Sequence, residues 1–346
     1  MSGRGLMLQL PRPQCTAAEV GRDALLFVLR QWPSGFEEAL HVLPFPREQG
    51  FRGPQWVHAG DVFQRAVIAD ALCDAAAFAG DQLSEVVEQE IAYLMSRRRP
   101  SGWSYFPDLA ELPPDADDLA QIMTLLVRNG RYDLLLAACE EPLQTLFTHG
   151  AHDDGSFETW IVPSPPRTDD ERLQHEWIAR AWGRGPDVDV VANLLHALTL
   201  YDRARFAARI EAGRRFLLDR QHADASWSAS WYAGPYYPTF AALRVVESPR
   251  AVAFLRDTQQ ADGSWGDPLC TALALCALRE AGTPHDDARD RAVDFLAATR
   301  ESDGGWPAAD WIRMDLGRAE GHVHTTLTYG SRTITAAYVL KATAMA

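Results

Sequence analysis

The chain has 346 residues, 47% of them apolar, enough to bury a sizeable core in one large domain or two modest ones. Its formal net charge of −14 argues against binding nucleic acid, whose phosphate backbone demands a basic surface. No apolar run approaches the roughly 20 residues of a membrane-spanning helix, and the first residues lack the long apolar segment of a secretory signal, so a cytoplasmic location is expected.

Read in chain order, residues 1–53 form an N-terminal segment expected to cap or join the domain that follows, residues 54–346. Helical apolar spacing begins at residues 61–75 and returns at 117–127, 187–200, 237–246, 268–278 and 332–344. Amphipathic helices are predicted between these at 203–220, 249–258 and 287–299. Sustained strand alternation is absent. Cys15, Cys73, Cys139, Cys270 and Cys276 form no Cys-x-x-Cys pair, which argues against a disulfide frame or a closed zinc site. Positive charge is carried almost wholly by arginine, Lys341 being the single lysine; together with the abundant alanine this marks a GC-rich, bacterial-type genome.

A repeat runs through the tryptophans. Gln259 to Trp265 (QQADGSW) fits Q-x3-G-x-W; RESDGGW ending at Trp306 repeats it with Arg for Gln, and QHADASW ending at Trp227 with Ala for Gly. Weaker copies end at Trp103 (RRRPSGW) and Phe157 (AHDDGSF), and a degenerate one at Phe36 (QWPSGF). After each comes a loop and one of the six apolar helices. The unit is therefore a helical hairpin, and six of them predict an all-α, single α6–α6 barrel with the more apolar helix of each pair inside. In each turn Gly permits the tight backbone, Gln or Arg is placed to bond helix-end carbonyls, and Trp packs across neighbouring hairpins. Because each inner helix starts just after its turn, the six N-termini gather at one end with Asp61, Asp115, Asp117, Asp118, Asp187, Asp189, Tyr236, Tyr237, Asp267, Cys270, Tyr329, Ser331 and Arg332. That end is the expected site.

The most informative stretch is Asp115-Ala116-Asp117-Asp118, which joins the Gly102-Trp103 turn to an apolar helix. Asp at a helix start caps backbone N–H groups. Three carboxylates within four residues also repel one another, so burial would leave at least one protonated near neutral pH, a proton source for general acid catalysis.

With these motifs the chain resembles the terpenoid cyclase and protein prenyltransferase superfamily, from about residue 31 to 341, and Asp115 to Asp118 resembles the D-x-D-D signature of its class II terpene cyclases, the group of squalene–hopene cyclases and copalyl diphosphate synthases. The resemblance implies protonation-initiated cyclisation of an isoprenoid, a prenyl diphosphate or a prenylated small molecule, as in terpenoid secondary metabolism. It makes Asp117, the middle carboxylate, the Brønsted acid, with Asp115 and Asp118 tuning it, and it requires no cofactor for the protonation step. Two departures stand out. Full-length class II cyclases carry a second barrel that closes the cavity, for which this chain has no room, so residues 1–53 or a second subunit in a homodimer would complete it; and Leu119 follows the motif where Thr or another small residue is usual.

A carbocation must be shielded from water and faced by aromatic rings. Candidates near the inner mouth are Trp103, Tyr105, Phe157, Trp160, Trp231, Tyr232, Tyr236, Tyr237, Trp311 and Tyr329. Asn193 and His196, at i and i+3 on the third inner helix, are candidates for holding Asp117 or for taking the final proton. Asp187 and Asp189 either cap that helix or bind a Mg²⁺ carrying a substrate diphosphate, to which Arg52, Arg65, Arg313 or Arg332 would add charge.

Two rival functions fit the same frame. The prenyltransferase branch binds zinc through Asp-x-Cys and a later His; Asp267-Pro268-Leu269-Cys270 with His322 and His324 offers suitable ligand types, although the spacing is Asp-x-x-Cys. A non-catalytic barrel serving as an interaction module is the other, since fold does not fix function.

Overall fold

A computed structural model describes residues 16–53, 56–75 and 81–344; the first fifteen residues of the expected N-terminal cap, Cys15 among them, lie outside the described residues. In chain order the helices are α1 (Ala17–Gln31), α2 (Val62–Asp74), α3 (Asp81–Ser96), α4 (Ala116–Arg128), α5 (Tyr132–Ala138), α6 (Glu140–His149), α7 (Asp169–Trp177), α8 (Val188–Asp202), α9 (Ala207–Asp219), α10 (Tyr236–Leu243), α11 (Pro249–Asp257), α12 (Pro268–Glu280), α13 (Asp287–Thr299) and α14 (Arg332–Thr343). The six helices expected to be innermost, α2, α4, α8, α10, α12 and α14, begin and end within three residues of their predicted bounds. Each packs against the next, and α14 packs back on α2, so the ring closes.

Burial follows composition. From Ala116 to Leu126 every residue of α4 is buried, the polar Asp117, Asp118, Gln121 and Thr124 among them, whereas α9 buries only Ile210, Gly213, Phe216 and Leu217, one stripe at helical spacing. The outer layer, α3, α6, α9, α11 and α13, brackets the ring. Helix α1, which precedes the boundary expected at residue 54, packs on α14 and α13 and belongs to that same layer.

The tryptophan turns tie the two layers together. The indole N–H groups of Trp227, Trp265 and Trp306 donate to the carbonyls of Leu217, Leu255 and Leu296 at 2.7–2.8 Å, and Trp103 does the same for Leu94. These carbonyls lie near the C-terminal ends of outer helices, where acceptors lack intrahelical partners. Carbonyl capping thus falls to the indole, while Gln259 and Gln221 bond back to the turn carbonyls of Gly263 and Ala225. Gly263 has φ +90°, and a Cβ there would lie 2.3 Å from the Arg291 carbonyl oxygen. The turn that replaces this glycine keeps the same backbone: Ala225 has φ +72°, strained for a residue with a Cβ.

At the opposite end of the ring from the helix N-termini, Lys341 of α14 pairs with Asp70 and Asp74 of α2 at 2.7 and 2.6 Å, and Arg128 of α4 bridges the same two carboxylates. The single lysine thereby ties the last helix of the ring to the first.

The all-α expectation needs one correction, because two antiparallel hairpins stand at the N-terminal end of the ring. One pairs β1 (His41–Pro44) with β2 (Val57–Gly60), His41 opposite Gly60. The other pairs β3 (Ile312–Leu316) with β4 (Thr325–Tyr329), Ile312 opposite Tyr329. Their anchorage is polar: the Tyr329 hydroxyl donates to the Ala39 carbonyl at 2.6 Å, and the Glu38 carboxylate accepts from the backbone N–H groups of Arg332 and Thr333, where the α14 dipole favours a negative charge.

Candidate active site

Between the helix N-termini and the two hairpins lies a cavity of about 630 Å³, within the range of small-molecule sites. Its deep wall carries Asp115, Asp117 and Asp118 with Phe63, Tyr105, Phe106, Trp160, Trp231 and Tyr232. Its outer wall takes Phe45 and Phe51 after β1, Trp177 at the end of α7 and Trp182 beyond it, and Met314 and Leu316 of β3.

The three carboxylates are adjacent in sequence but occupy different surroundings. Asp115 is the N-cap of α4, one oxygen accepting from the N–H groups of Asp117 and Asp118 at 3.0 and 2.8 Å. Burial, opposed by those bonds, pushes it up to about 7. Asp118 is 1% exposed and neither of its oxygens accepts a hydrogen bond. Burial and the Asp115 charge hold it well above the usual carboxylate range, so these two behave as a pair sharing a proton.

Asp117 points the other way, to α8 and the residues before α10. One oxygen accepts from the Asn193 side-chain amide and the other from the Tyr232 hydroxyl, each at 2.5 Å. Burial raises its pKa, while the Tyr232 and Asn193 bonds and the Arg244 charge pull it back. Asn193 is itself fixed: the Arg244 guanidinium donates to its amide oxygen, which forces the amide NH₂ toward Asp117, and that NH₂ also meets the Tyr237 hydroxyl at 3.0 Å. Tyr232 stacks on Tyr237 with centroids 3.6 Å apart. Asp117 is thus a buried acid whose conjugate base is met by two ready donors, an arrangement that makes its proton available.

The aromatic candidates divide. Tyr105, Trp160, Trp231 and Tyr232 line the cavity. Trp103 and Phe157 do not, since their rings lie buried in the turns between layers. Tyr237 stands one layer behind Tyr232; Tyr236 packs on Phe254 of α11; Tyr329 stacks on His41 at 4.3 Å; Trp311 lies behind Phe63. None of these four lines the cavity.

His196 is corrected as well. It lies one turn deeper than Asn193, about 4.5 Å along the helix, and the charges that act on it are Arg244, Asp70, Lys341 and Arg128. Burial and Arg244 hold it well below the ordinary histidine value. It neither touches Asp117 nor lines the cavity.

The two carboxylates considered for Mg²⁺, Asp187 and Asp189, differ in their surroundings. Asp187 accepts from Thr159, Trp231, Ser230 and Arg318, which fills the roughly four acceptor sites of a carboxylate. Asp189 takes the Trp231 backbone N–H and is pushed well above its ordinary value by burial and Asp187. Arg332 is committed to Glu301 and Asp303 and lies off the cavity. For the zinc alternative, Asp267 caps α12 by accepting from the Cys270 N–H at 2.8 Å, and burial raises the Cys270 thiol. No group of three or more His, Cys, Asp or Glu side chains placed to hold a metal occurs among the described residues. No helix among them is long and apolar enough to cross a membrane.

Arg244, Phe45, Phe51, Phe63, Phe106, Trp177, Trp182 and Met314 were outside the predicted site. Arg244 carried a signal: an arginine near the end of the apolar run 237–246 must find a buried partner. So did β3, where Ile312, Met314 and Leu316 alternate with Arg313 and Asp315.

Residues 184–314 match the family described as the squalene-hopene cyclase C-terminal domain. An ent-copalyl diphosphate synthase from a Streptomyces species is 36% identical over 29% of this chain and 23% of its own length. The squalene–hopene cyclase of Zymomonas mobilis is 27% identical over 51% of this chain and 28% of its own, so the chain spans less than a third of these relatives. Among solved structures, the type II terpene cyclase MstE from Scytonema superposes with a TM-score of 0.68 at 16% identity, covering 95% of this chain and 98% of that one; a variant of it is known in complex with geranylgeranyl dihydroxybenzoate as substrate. The sequence matches bear out the resemblance to class II terpene cyclases, and the structural likeness is one of fold.

Proposed function

We propose that this protein is a class II-type terpene cyclase, an α6–α6 barrel with Q-x3-G-x-W turns in which Asp117 protonates the terminal alkene of an isoprenoid chain. The observation that carries the proposal is the buried Asp117 carboxyl, held between the Asn193 and Tyr232 donors at the deep end of an aromatic cavity. The matches to copalyl diphosphate synthase and squalene–hopene cyclase, and the prenylated substrate of MstE, support the same class of chemistry.

In the first step the alkene π pair takes the Asp117 proton, forming a C–H bond and leaving a tertiary cation, while the O–H electron pair stays on the carboxylate, where Asn193 and Tyr232 stabilise it. The next alkene then attacks the cation, forming a C–C bond and moving the charge along the chain past the rings of Phe63, Tyr105, Phe106, Trp160 and Trp231. Loss of one proton ends the sequence, so the product is an isomer of the substrate. The Asp115–Asp118 pair, two residues before the acid and one after it, holds a proton from which Asp117 can be recharged.

The test is incubation of wild type and Asp117→Asn with a panel of geranylgeranyl- and farnesyl-bearing compounds, read by mass spectrometry for cyclised isomers of unchanged mass. Isomers made by wild type and absent from Asp117→Asn support the assignment; equal formation by both proteins removes Asp117 as the acid. Because Asp115 and not Asp117 caps α4, the substitution should leave thermal stability at or above that of wild type, so lost turnover would not reflect a lost helix cap.

A further inference from the structure

We infer that the isoprenoid bound in this cavity carries an uncharged, hydrogen-bonding head group, such as a phenol or alcohol, and not a diphosphate or carboxylate; this rests on the cyclase reading above. It comes from the charge balance at the outer rim. The exposed or half-buried polar side chains lining that rim are Gln49, Arg180, Asp315, Glu320 and His324. Arg180 is the one arginine among the lining residues, and its guanidinium already donates to the Gln49 carbonyl at 2.6 Å and lies 4.8 Å over the Trp177 ring.

The nearby arginines each face a protein carboxylate. Arg313 is held by Asp315 at 2.9 Å, Arg318 by the buried Asp187, and Arg52 faces Glu176 at 4.0 Å. Arg318 retains one buried N–H without a partner, a donor whose charge Asp187 offsets. The single lysine is bound to Asp70 and Asp74 at the far end of the ring. A diphosphate, whose recognition calls for bidentate arginines or a metal held by carboxylates, would find Arg180 alone among the lining arginines and would meet Glu320, whose one rim partner is His324 at 3.1 Å. A hydroxyl suits the same rim, where Gln49 and Glu320 can accept its proton. Beside them Phe51 stacks on Trp177 with centroids 4.1 Å apart, and Trp177 on Trp182 at 5.8 Å, an aromatic shelf on which a planar neutral head can lie.

The experiment titrates Asp117→Asn with three probes of one chain length, geranylgeranyl hydroquinone, geranylgeranyl dihydroxybenzoate and geranylgeranyl diphosphate, the last with and without Mg²⁺, following tryptophan fluorescence. The hydroquinone should bind at least tenfold more tightly than either anion, and Glu320→Arg should narrow that gap by raising affinity for the diphosphate. Equal or tighter binding of the diphosphate in either Mg²⁺ condition overturns the inference, as does failure of the hydroquinone to bind. Turnover by wild type separates the two claims. A diphosphate isomer that is lost in Asp117→Asn would sink the head-group assignment and uphold the cyclase. A hydroquinone that binds tightly and is never cyclised would do the reverse.

Discussion

Replacing Tyr232 by Phe removes one oxygen and little else. The ring is 1% exposed and packed by Tyr237, Trp311 and Phe63 at centroid distances of 3.6, 6.0 and 6.2 Å, contacts that Phe keeps. What disappears is the 2.5 Å bond to Asp117, at the short end of charge-assisted O–H···O⁻ bonds. A hydrogen bond to a charged group contributes about 1.5–3 kcal/mol, which at 1.36 kcal/mol per pH unit is about 1–2 units. The sign follows from which form the donor favours. Tyr232 stabilises the carboxylate, so its loss raises the Asp117 pKa further and weakens the acid. In the proposed mechanism turnover requires protonated Asp117 and falls as pH rises through its pKa. In Tyr232→Phe the low-pH plateau of kcat should therefore drop by about ten- to a hundredfold, while the midpoint of the alkaline limb moves up by about 1–2 units. The assay is the initial rate of isomer formation against pH with a substrate that does not itself titrate. A lower plateau with an unmoved or lowered midpoint would refute the role given to Tyr232, because loss of packing alone cannot raise that midpoint.

Arg244→Met should cut kcat with little change in KM, since Arg244 orients Asn193 from outside the cavity wall; a KM effect of similar size would mean that it meets substrate. For Asp115 and Asp118, raised in the folded state, stability is fully present below about pH 4, the ordinary carboxylate value, and is lost as pH rises toward about 7, where Asp115 titrates. Asp118→Asn should flatten that slope and make the protein more stable at pH 8, as read by thermal unfolding across pH. Lys341→Met leaves Asp70 and Asp74 with Arg128 alone and should lower stability in urea by about 3–5 kcal/mol; a loss under 1 kcal/mol would show that the ring closes without this pair. Ala225→Gly should stabilise by about 0.5–1 kcal/mol, because relief of a positive φ exceeds the entropy added to the unfolded chain, whereas Gly263→Ala, placing its Cβ 2.3 Å from a carbonyl oxygen, should destabilise; the same sign for both would remove the strain account.

Much of the architecture was legible because the tryptophan turns mark where each inner helix begins and because those helices are richer in apolar residues than their outer partners. The cavity was far less so, for a reason visible in the aromatics. Residues inside a turn, such as Trp103, Phe157 and Trp227, anchor the outer layer. Those three or four places later, Trp160 and Trp231, reach the cavity. Composition is the same in both sets, and only the direction in which the chain leaves the turn separates them. The hairpins hid for another reason: β1 and β2 are four residues each, too short for an alternation to register, while the five-residue alternation in β3 was legible in principle. His196 shows the remaining limit, since an i, i+3 partner shares a helix face with Asn193 without sharing its depth.

The acidic motif itself illustrates how sequence neighbours acquire different chemistry. Successive residues of a helix point about 100° apart, so three carboxylates at a helix start cannot share one environment. Asp115, just outside the helix, turns back to cap it; Asp118 faces Asp115 and the side of the ring where the Asp61 charge adds to its pKa shift; Asp117 faces α8, where Asn193 and, beyond it, Arg244 wait. Burial alone would raise all three alike and leave three weak acids. The donors reaching Asp117 from α8 and Tyr232 break that symmetry, favouring ionisation of the one carboxyl they touch while its neighbours keep their shared proton. Exchanging Asp117 and Asp118 in function would require moving those donors by a third of a helical turn, so the proposed assignment of the acid to Asp117 follows from which helices the ring places beside α4.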